Sequence, residues 1–346
     1  MKKNALLLLA VLCLGITSMA TVRRVGFFAT PVPGVDYTTL QLAHDAAAAG
    51  DTIYMFPGAY MNCNVAKKLI IFGPGYFLNP ADPTYPGNSG LQATTNTTTS
   101  NAFFSLNAGS NGTEVYGCNF DYYVGINGAS GNILFKRCRF KSTGGGIILM
   151  YANCNQVTFQ QCVIEDRIQV QNSNITITNL SFINCLFAFQ FGVGFNLAAS
   201  NTLASGLIQN CVFAGNVSTN ALSDGSWLIQ NSISQLFGFS GANILYVNNI
   251  GTGGQFPAGN GNQQNVAWNT IFNLTGSWDG KYALKTGSPA VGAGVGGIDC
   301  GIFGGPSPYR LSGIPAMPTI YSISSPQGTI PSGNTIQIDI STRSNN

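Results

Sequence analysis

Glu165, Asp166 and Arg167 are consecutive in a chain only 8% charged, so a carboxylate pair beside a guanidinium is a feature to weigh. Paired carboxylates can serve as general acid and base, and their oxygens can hold a hard cation. Asp121 and Lys141 join them once the chain is aligned on its internal repeat, as shown below. Arg137 and Arg139 lie on a basic segment that could bind an acidic sugar. Tyr122 and Tyr123, with Phe189 and Phe191 further on, are aromatic rings at loop positions that could stack on sugar rings. The simpler reading of the charges is an exposed ladder whose opposite signs pair across neighbouring strands, worth about 0–1 kcal/mol per pair. The simpler reading of the aromatics is anchoring of loops or core.

A repeat positions these residues. Val115-Tyr-Gly-Cys-Asn-Phe120, Phe135-Lys-Arg-Cys-Arg-Phe140, Phe159-Gln-Gln-Cys-Val-Ile164, Phe182-Ile-Asn-Cys-Leu-Phe187 and Ile208-Gln-Asn-Cys-Val-Phe213 share one pattern. Degenerate copies follow at Ile229–Ser234, Tyr246–Gly251 and Ala267–Phe272. The fourth residue of each copy recurs at intervals between 17 and 26 residues, near the length of one coil of a three-sided β-solenoid. No recurring leucine framework and no 3.6-residue periodicity accompanies it, which sets aside leucine-rich and helical repeats. In such a coil the first and last residues of each copy point inward as apolar stacks. Asp121, Lys141 and Glu165 then become neighbours on successive coils.

The third residue becomes Asn in five copies, Asn184, Asn210, Asn231, Asn248 and Asn269. Asn tolerates the left-handed backbone conformation, so this column predicts a sharp corner between two strands, with an amide ladder along it. The fourth column holds Cys118, Cys138, Cys162, Cys185 and Cys211. Adjacent rungs keep Cβ atoms about 4.8 Å apart, too far for the ~3.8 Å of a disulfide. A ladder of small buried thiols follows. The lone His44 and the absence of a Cys-x-x-Cys pair exclude a zinc site built on them.

The ends of the chain carry other signals. Lys2 and Lys3, an apolar run from Ala5 to Ile16, and Ser18-Met19-Ala20 read as a signal peptide over 1–20, with the mature chain starting at Thr21 and the protein secreted or held at the cell surface. No later segment is apolar and long enough to span a membrane. A formal net charge of +3 leaves no basic footprint for nucleic acid. Residues near 38–49 form an amphipathic helix with Leu40, Ala43 and Ala47 on one face and Gly50 as its C-cap. Residues 306–346 are rich in proline, and Thr335–Ser341 alternates like a strand, which predicts a small C-terminal β extension.

The run "YTTLQLAHDAAAAGDTIYMFPGAY" resembles the opening of the pectin-lyase-like superfamily of right-handed parallel β-helices, secreted bacterial members included. Leu284–Gly294 with Asp299-Cys-Gly-Ile-Phe-Gly304 resembles a common ending there. The resemblance spans about residues 25–305 and implies an all-β, right-handed parallel β-helix whose N-terminal end is plugged by the helix. It also implies polysaccharide substrates. Lyases of that family hold Ca²⁺ on clustered Asp residues beside a proton-abstracting base, and its hydrolases use paired carboxylates. This chain has no Asp-Asp pair, no Gly-His-Gly and no Arg-Ile-Lys. No catalytic residue therefore stands out beyond the candidates Asp121, Lys141, Glu165, Asp166 and Arg167, and no cofactor is expected unless a lyase site there takes Ca²⁺. The expectation is an exported, non-catalytic protein that binds a polysaccharide or another cell-surface component. The alternatives are a diverged polysaccharide lyase or glycoside hydrolase, and a purely structural solenoid.

Overall fold

A computed structural model describes residues 20–26, 33–60, 62–93, 98–100, 103–128, 131–141, 148–188, 195–196, 201–215, 220–222, 225–236, 238–326, 332–333 and 335–345. Residues 1–19 of the expected signal, and Phe189 and Phe191, lie outside them.

Short strands stack in parallel into three faces, giving a right-handed parallel β-helix. One coil shows the path. Glu114–Tyr116 lies on the first face, Asn119–Phe120 on the second and Val124–Ile126 on the third, and Gly131–Lys136 returns to the first face above the start. Repeat copies pair in register, with Phe135 beside Val115 and Phe159, and Phe140 beside Phe120 and Ile164. The period-2 alternation of a strand puts the first and last residues of each copy inside. Phe135, Phe159 and Phe182 stack face to face at 5.2 and 5.1 Å, and Phe187 stacks on Phe213 at 4.5 Å.

The Cys column is buried and every thiol in it is free. The Sγ atoms of Cys138, Cys162, Cys185 and Cys211 donate to the carbonyls of Val115, Phe135, Phe159 and Phe182 at 3.3–3.4 Å, each reaching the coil below. Asn249 continues the column by donating to the Ile229 carbonyl at 2.8 Å.

The corner between the first and second faces is a column of left-handed residues: Gly117, Arg137, Gln161, Asn184, Asn210, Asn231 and Asn248, all with φ between 52° and 62°. The predicted Asn corner is therefore real, but it extends to two residues that rarely adopt this conformation. It also ends one copy early. Asn269 lies in the short helix Trp268–Ile271 and does not turn a corner. The small Ala267 would leave the inward position underfilled, whereas Ile271 and Phe272 bury against the outside of the second face.

Helix α1, Leu40–Ala46, caps the first coil and buries Leu40 and Ala43, with Ala47 just beyond it. Thr39 Oγ1 accepts the Leu42 N–H at 3.2 Å and caps its start. Its end is capped differently from the expectation: Lys67 Nζ donates to the carbonyls of His44 and Ala47 at 3.0 and 2.9 Å, and Gly50 turns the chain three residues later. His44 is buried, its Nε2 accepting the Ala66 N–H at 3.1 Å. Among the described residues no helix is long and apolar enough to cross a membrane.

After its last coil the chain turns back. Residues 293–315 descend the outside of the solenoid along the left-handed corner as a strap. Asn248 donates to the Ala293 carbonyl at 2.7 Å, Asn210 to Asp299 at 3.0 Å and Asn184 to Ile302 and Gly304 at 2.8 Å. Gln161 then reaches Pro308 at 2.6 Å, and Arg137 Nη1 reaches Ile314 at 2.8 Å. The corner amides thus bond the strap, and the expected amide-to-amide ladder contracts to one contact, Asn231 to Asn210 at 3.5 Å. The chain ends in a small antiparallel pair, Thr319–Ser324 with Asp339–Arg343, beside the first coils.

Candidate functional site

The stack brings Asp121, Lys141 and Glu165 onto successive rungs, as the Lys141 N–H bonds the Phe120 carbonyl and the Glu165 N–H bonds that of Phe140. Their environment is not the solvated ladder that the sequence suggested. Glu165 is buried, with Oε1 2.6 Å from Arg139 Nε and Oε2 accepting the Tyr85 hydroxyl at 3.0 Å. The Arg139 guanidinium lies over the rings of Phe77 and Tyr85, at 4.5 and 4.1 Å. Lys141 Nζ sits 4.6 Å from the same Tyr85 ring. A segment some sixty residues upstream therefore forms a roof over the charged pair.

Asp166 is also buried and Arg167 half-buried. Asp166 Oδ1 accepts the Arg167 N–H at 2.6 Å and lies 3.9 Å from its Nε. Asp121 is half-buried. Burial pushes its carboxyl up from the ordinary range, against the opposing pull of Arg139 and Lys141. Asn119 Oδ1, Asp121 Oδ1 and Arg139 Nη2 are buried without a hydrogen-bonding partner, which marks a small polar space beside the ion pair. Glu165 is already neutralised by Arg139, and among the described residues no group of three or more His, Cys, Asp or Glu could hold a metal.

The two arginines expected on a ligand-binding face are buried. Arg139 is held by Glu165, while Arg137 forms part of the strap seam, its Nε donating to Gln161 Oε1 at 2.8 Å and its Nη1 to the strap carbonyl of Ile314 and to that of Asn345. Both positions are taken out of water because the second face and its corner carry an outer layer. Tyr122 is exposed and meets Tyr123 edge to face at 4.3 Å, and Tyr123 leans on Phe103 at 5.7 Å. Tyr122 thus remains available, and Tyr123 is half-buried.

A second region was not singled out by the sequence. On the outside of the first face, Tyr54, Phe72 and Tyr116 occupy one column, because Tyr54 pairs with Phe72 and Phe72 with Tyr116 in the parallel register. Their rings stack at 5.2 and 4.8 Å. Tyr54 and Phe72 form one wall of a groove of about 570 Å³, and Pro315, Met317, Ile320 and Ile323 from the C-terminal segment form the other. Arg24 and Gln92 supply polar groups at its edge. Burial, and then the hydrogen bond and charge of Glu114, push the Tyr116 phenol well above its ordinary range, so it stays neutral. The second position of the repeat could have revealed this column. Downstream it reads Lys136, Gln160, Ile183 and Gln209, and only extension to Tyr54 and Phe72 shows aromatics.

No family model and no curated protein matches this chain. Among solved structures, pectin methylesterase from carrot aligns at 12% identity over 73% of this chain and 91% of its own, with a TM-score of 0.26. That alignment carries no inference about activity. The strand order, the in-register parallel pairing and the capping helix identify the fold as a right-handed parallel β-helix.

Proposed function

We propose that this is an exported, non-catalytic β-helix protein that binds a polysaccharide or another surface component through the groove over Tyr54 and Phe72. One observation carries the reading. Glu165, the central candidate carboxylate, is held in a roofed ion pair with Arg139, while the groove over Tyr54 and Phe72 is aromatic and apolar with a few polar groups at its edge. That composition suits the apolar faces of sugar rings, whose hydroxyls would meet Arg24 and Gln92.

Retention of the protein on a polysaccharide panel, with and without Ca²⁺, tests it. Phe72→Ala and Tyr54→Ala should each weaken retention about tenfold with little change in melting temperature. Retention indifferent to both substitutions, or cleavage of any polysaccharide, overturns the reading. A diverged glycan-cleaving enzyme is the second reading, favoured by Asp121, whose raised carboxyl pKa beside Lys141 suits a proton donor. Cleavage lost on Asp121→Asn would establish it.

A further inference from the structure

The first rung of the helix holds a backbone nitrogen against a buried carboxylate. The N–H of Thr21 donates to Asp51 Oδ1 at 2.8 Å, and Asp51 is 1% exposed. Its Oδ2 accepts the Ala48 N–H at 2.9 Å and Arg23 Nε at 3.0 Å. Arg23 in turn donates from Nη1 to the Tyr37 hydroxyl at 2.8 Å, so Arg23 and Tyr37 are the titratable groups that face this carboxylate. Thr21 is fixed by more than this bond. Its carbonyl accepts the Thr52 N–H at 3.0 Å, and the strand that follows pairs Val22 with Thr52. Ala20 before it is exposed and closes the small-x-small triplet Ser18-Met19-Ala20.

We propose that the Ala20–Thr21 bond is the processing site of this protein and that Asp51 is a built receptor for the ammonium group which processing creates. Water adds across the peptide bond under a protease of the signal-peptidase class. Ala20 leaves as a carboxylate, and the Thr21 nitrogen takes up protons to become an ammonium. An amide donor to Asp51 is thereby exchanged for a full opposite charge at the same place, against a carboxylate that is itself buried. The mature chain gains a contact that the precursor lacks, and the gain is local to the capped end. The cleavage rests on the export reading alone and is independent of what the groove binds.

The sign of the pH dependence follows from the chemistry. The ammonium is favoured in the folded state, so the contact is fully present below the ordinary α-amino pKa of about 8 and is lost as pH rises through the higher folded value. The full chain is expressed for export and the intact mass of the product read. A product starting at Thr21 is expected, and any other start overturns the proposal. The chain starting at Thr21 is then compared with the same chain acetylated at its amine, which keeps the N–H but removes the charge. The free amine should melt about 3 °C higher at pH 7. The difference should vanish above about pH 10, and in Asp51→Asn. Equal melting temperatures at pH 7 would overturn the role of Asp51 even where cleavage is confirmed. Should Asp51→Asn fail to fold, the acetylated chain still decides the matter.

Discussion

The first and second faces of the solenoid are built from the same alternating strands, yet their outer surfaces have opposite fates. On the second face the outward residues Val163, Leu186, Val212, Ile233 and Ile250 are apolar and buried under the returning C-terminal segment. On the first face the outward residues Lys136, Gln160, Gln209 and Gln230 are half-exposed and uncovered. The groove forms where the first face breaks its own rule, at Tyr54, Phe72 and Tyr116. A parallel strand is covered or exposed according to its outward column, so the outward column determines where the molecule can meet a partner.

The sharpest way to break this comparison is to place the same charge on both faces. Val212→Asp should destabilise by about 4 kcal/mol or more, because it buries a carboxylate without a partner, whereas Gln209→Asp should stay within about 0.5 kcal/mol. Urea midpoints of the two variants check this directly, and equal shifts would mean that the outer layer does not seal the second face. Next in size is the roofed pair. Glu165→Ala leaves Arg139 charged and buried and should cost about 3–5 kcal/mol, seen as a fall in thermal midpoint. A loss near zero would show that Arg139 is reached by water. At the corner, Asn210→Ala removes the bond to the strap carbonyl of Asp299 and should cost about 1–2 kcal/mol. The same substitution at the half-exposed Gln209 should be silent.

The smallest effect concerns the thiols. Burial pushes Cys63, Cys154 and Cys300 up to about 12. The folded state favours the neutral thiol, so their contribution is complete below the ordinary thiol pKa of about 8.5 and is lost as pH rises towards 12. Stability should fall gently above about pH 9. Iodoacetamide at pH 8 should label none of the eight described cysteines in the folded protein and all of them after unfolding.

Much of the architecture could be read from the repeat, because each rung obeys the same local rule. The Phe and Cys columns, the inward alternation and the Asn corner all follow from residues about one coil apart. What could not be read depends on distant segments. Nothing near Arg139 announces its burial, since Phe77 and Tyr85 come from some sixty residues earlier. Arg137 and Gln161 take a conformation more typical of Asn, and each does so where its long side chain reaches the strap carbonyls of Ile314 and Pro308. The charge candidates were correctly placed on neighbouring rungs, but their exposure was misjudged for the same reason. The aromatic column escaped notice because its three members straddle the boundary between the capped first coils and the recognisable repeat.

The strap changes how such a stack should come apart. In a solenoid where each coil touches only its neighbours, coils can fray from either end, and stability is roughly a sum of adjacent terms. Here one segment is stitched to six coils in turn, from Asn248 down to Arg137, across separations of up to 177 residues. Releasing any middle coil means undoing stitches that also hold the coils above and below. The array should therefore melt as one cooperative unit, and a pull on its ends should meet a single late rupture in place of stepwise unspooling.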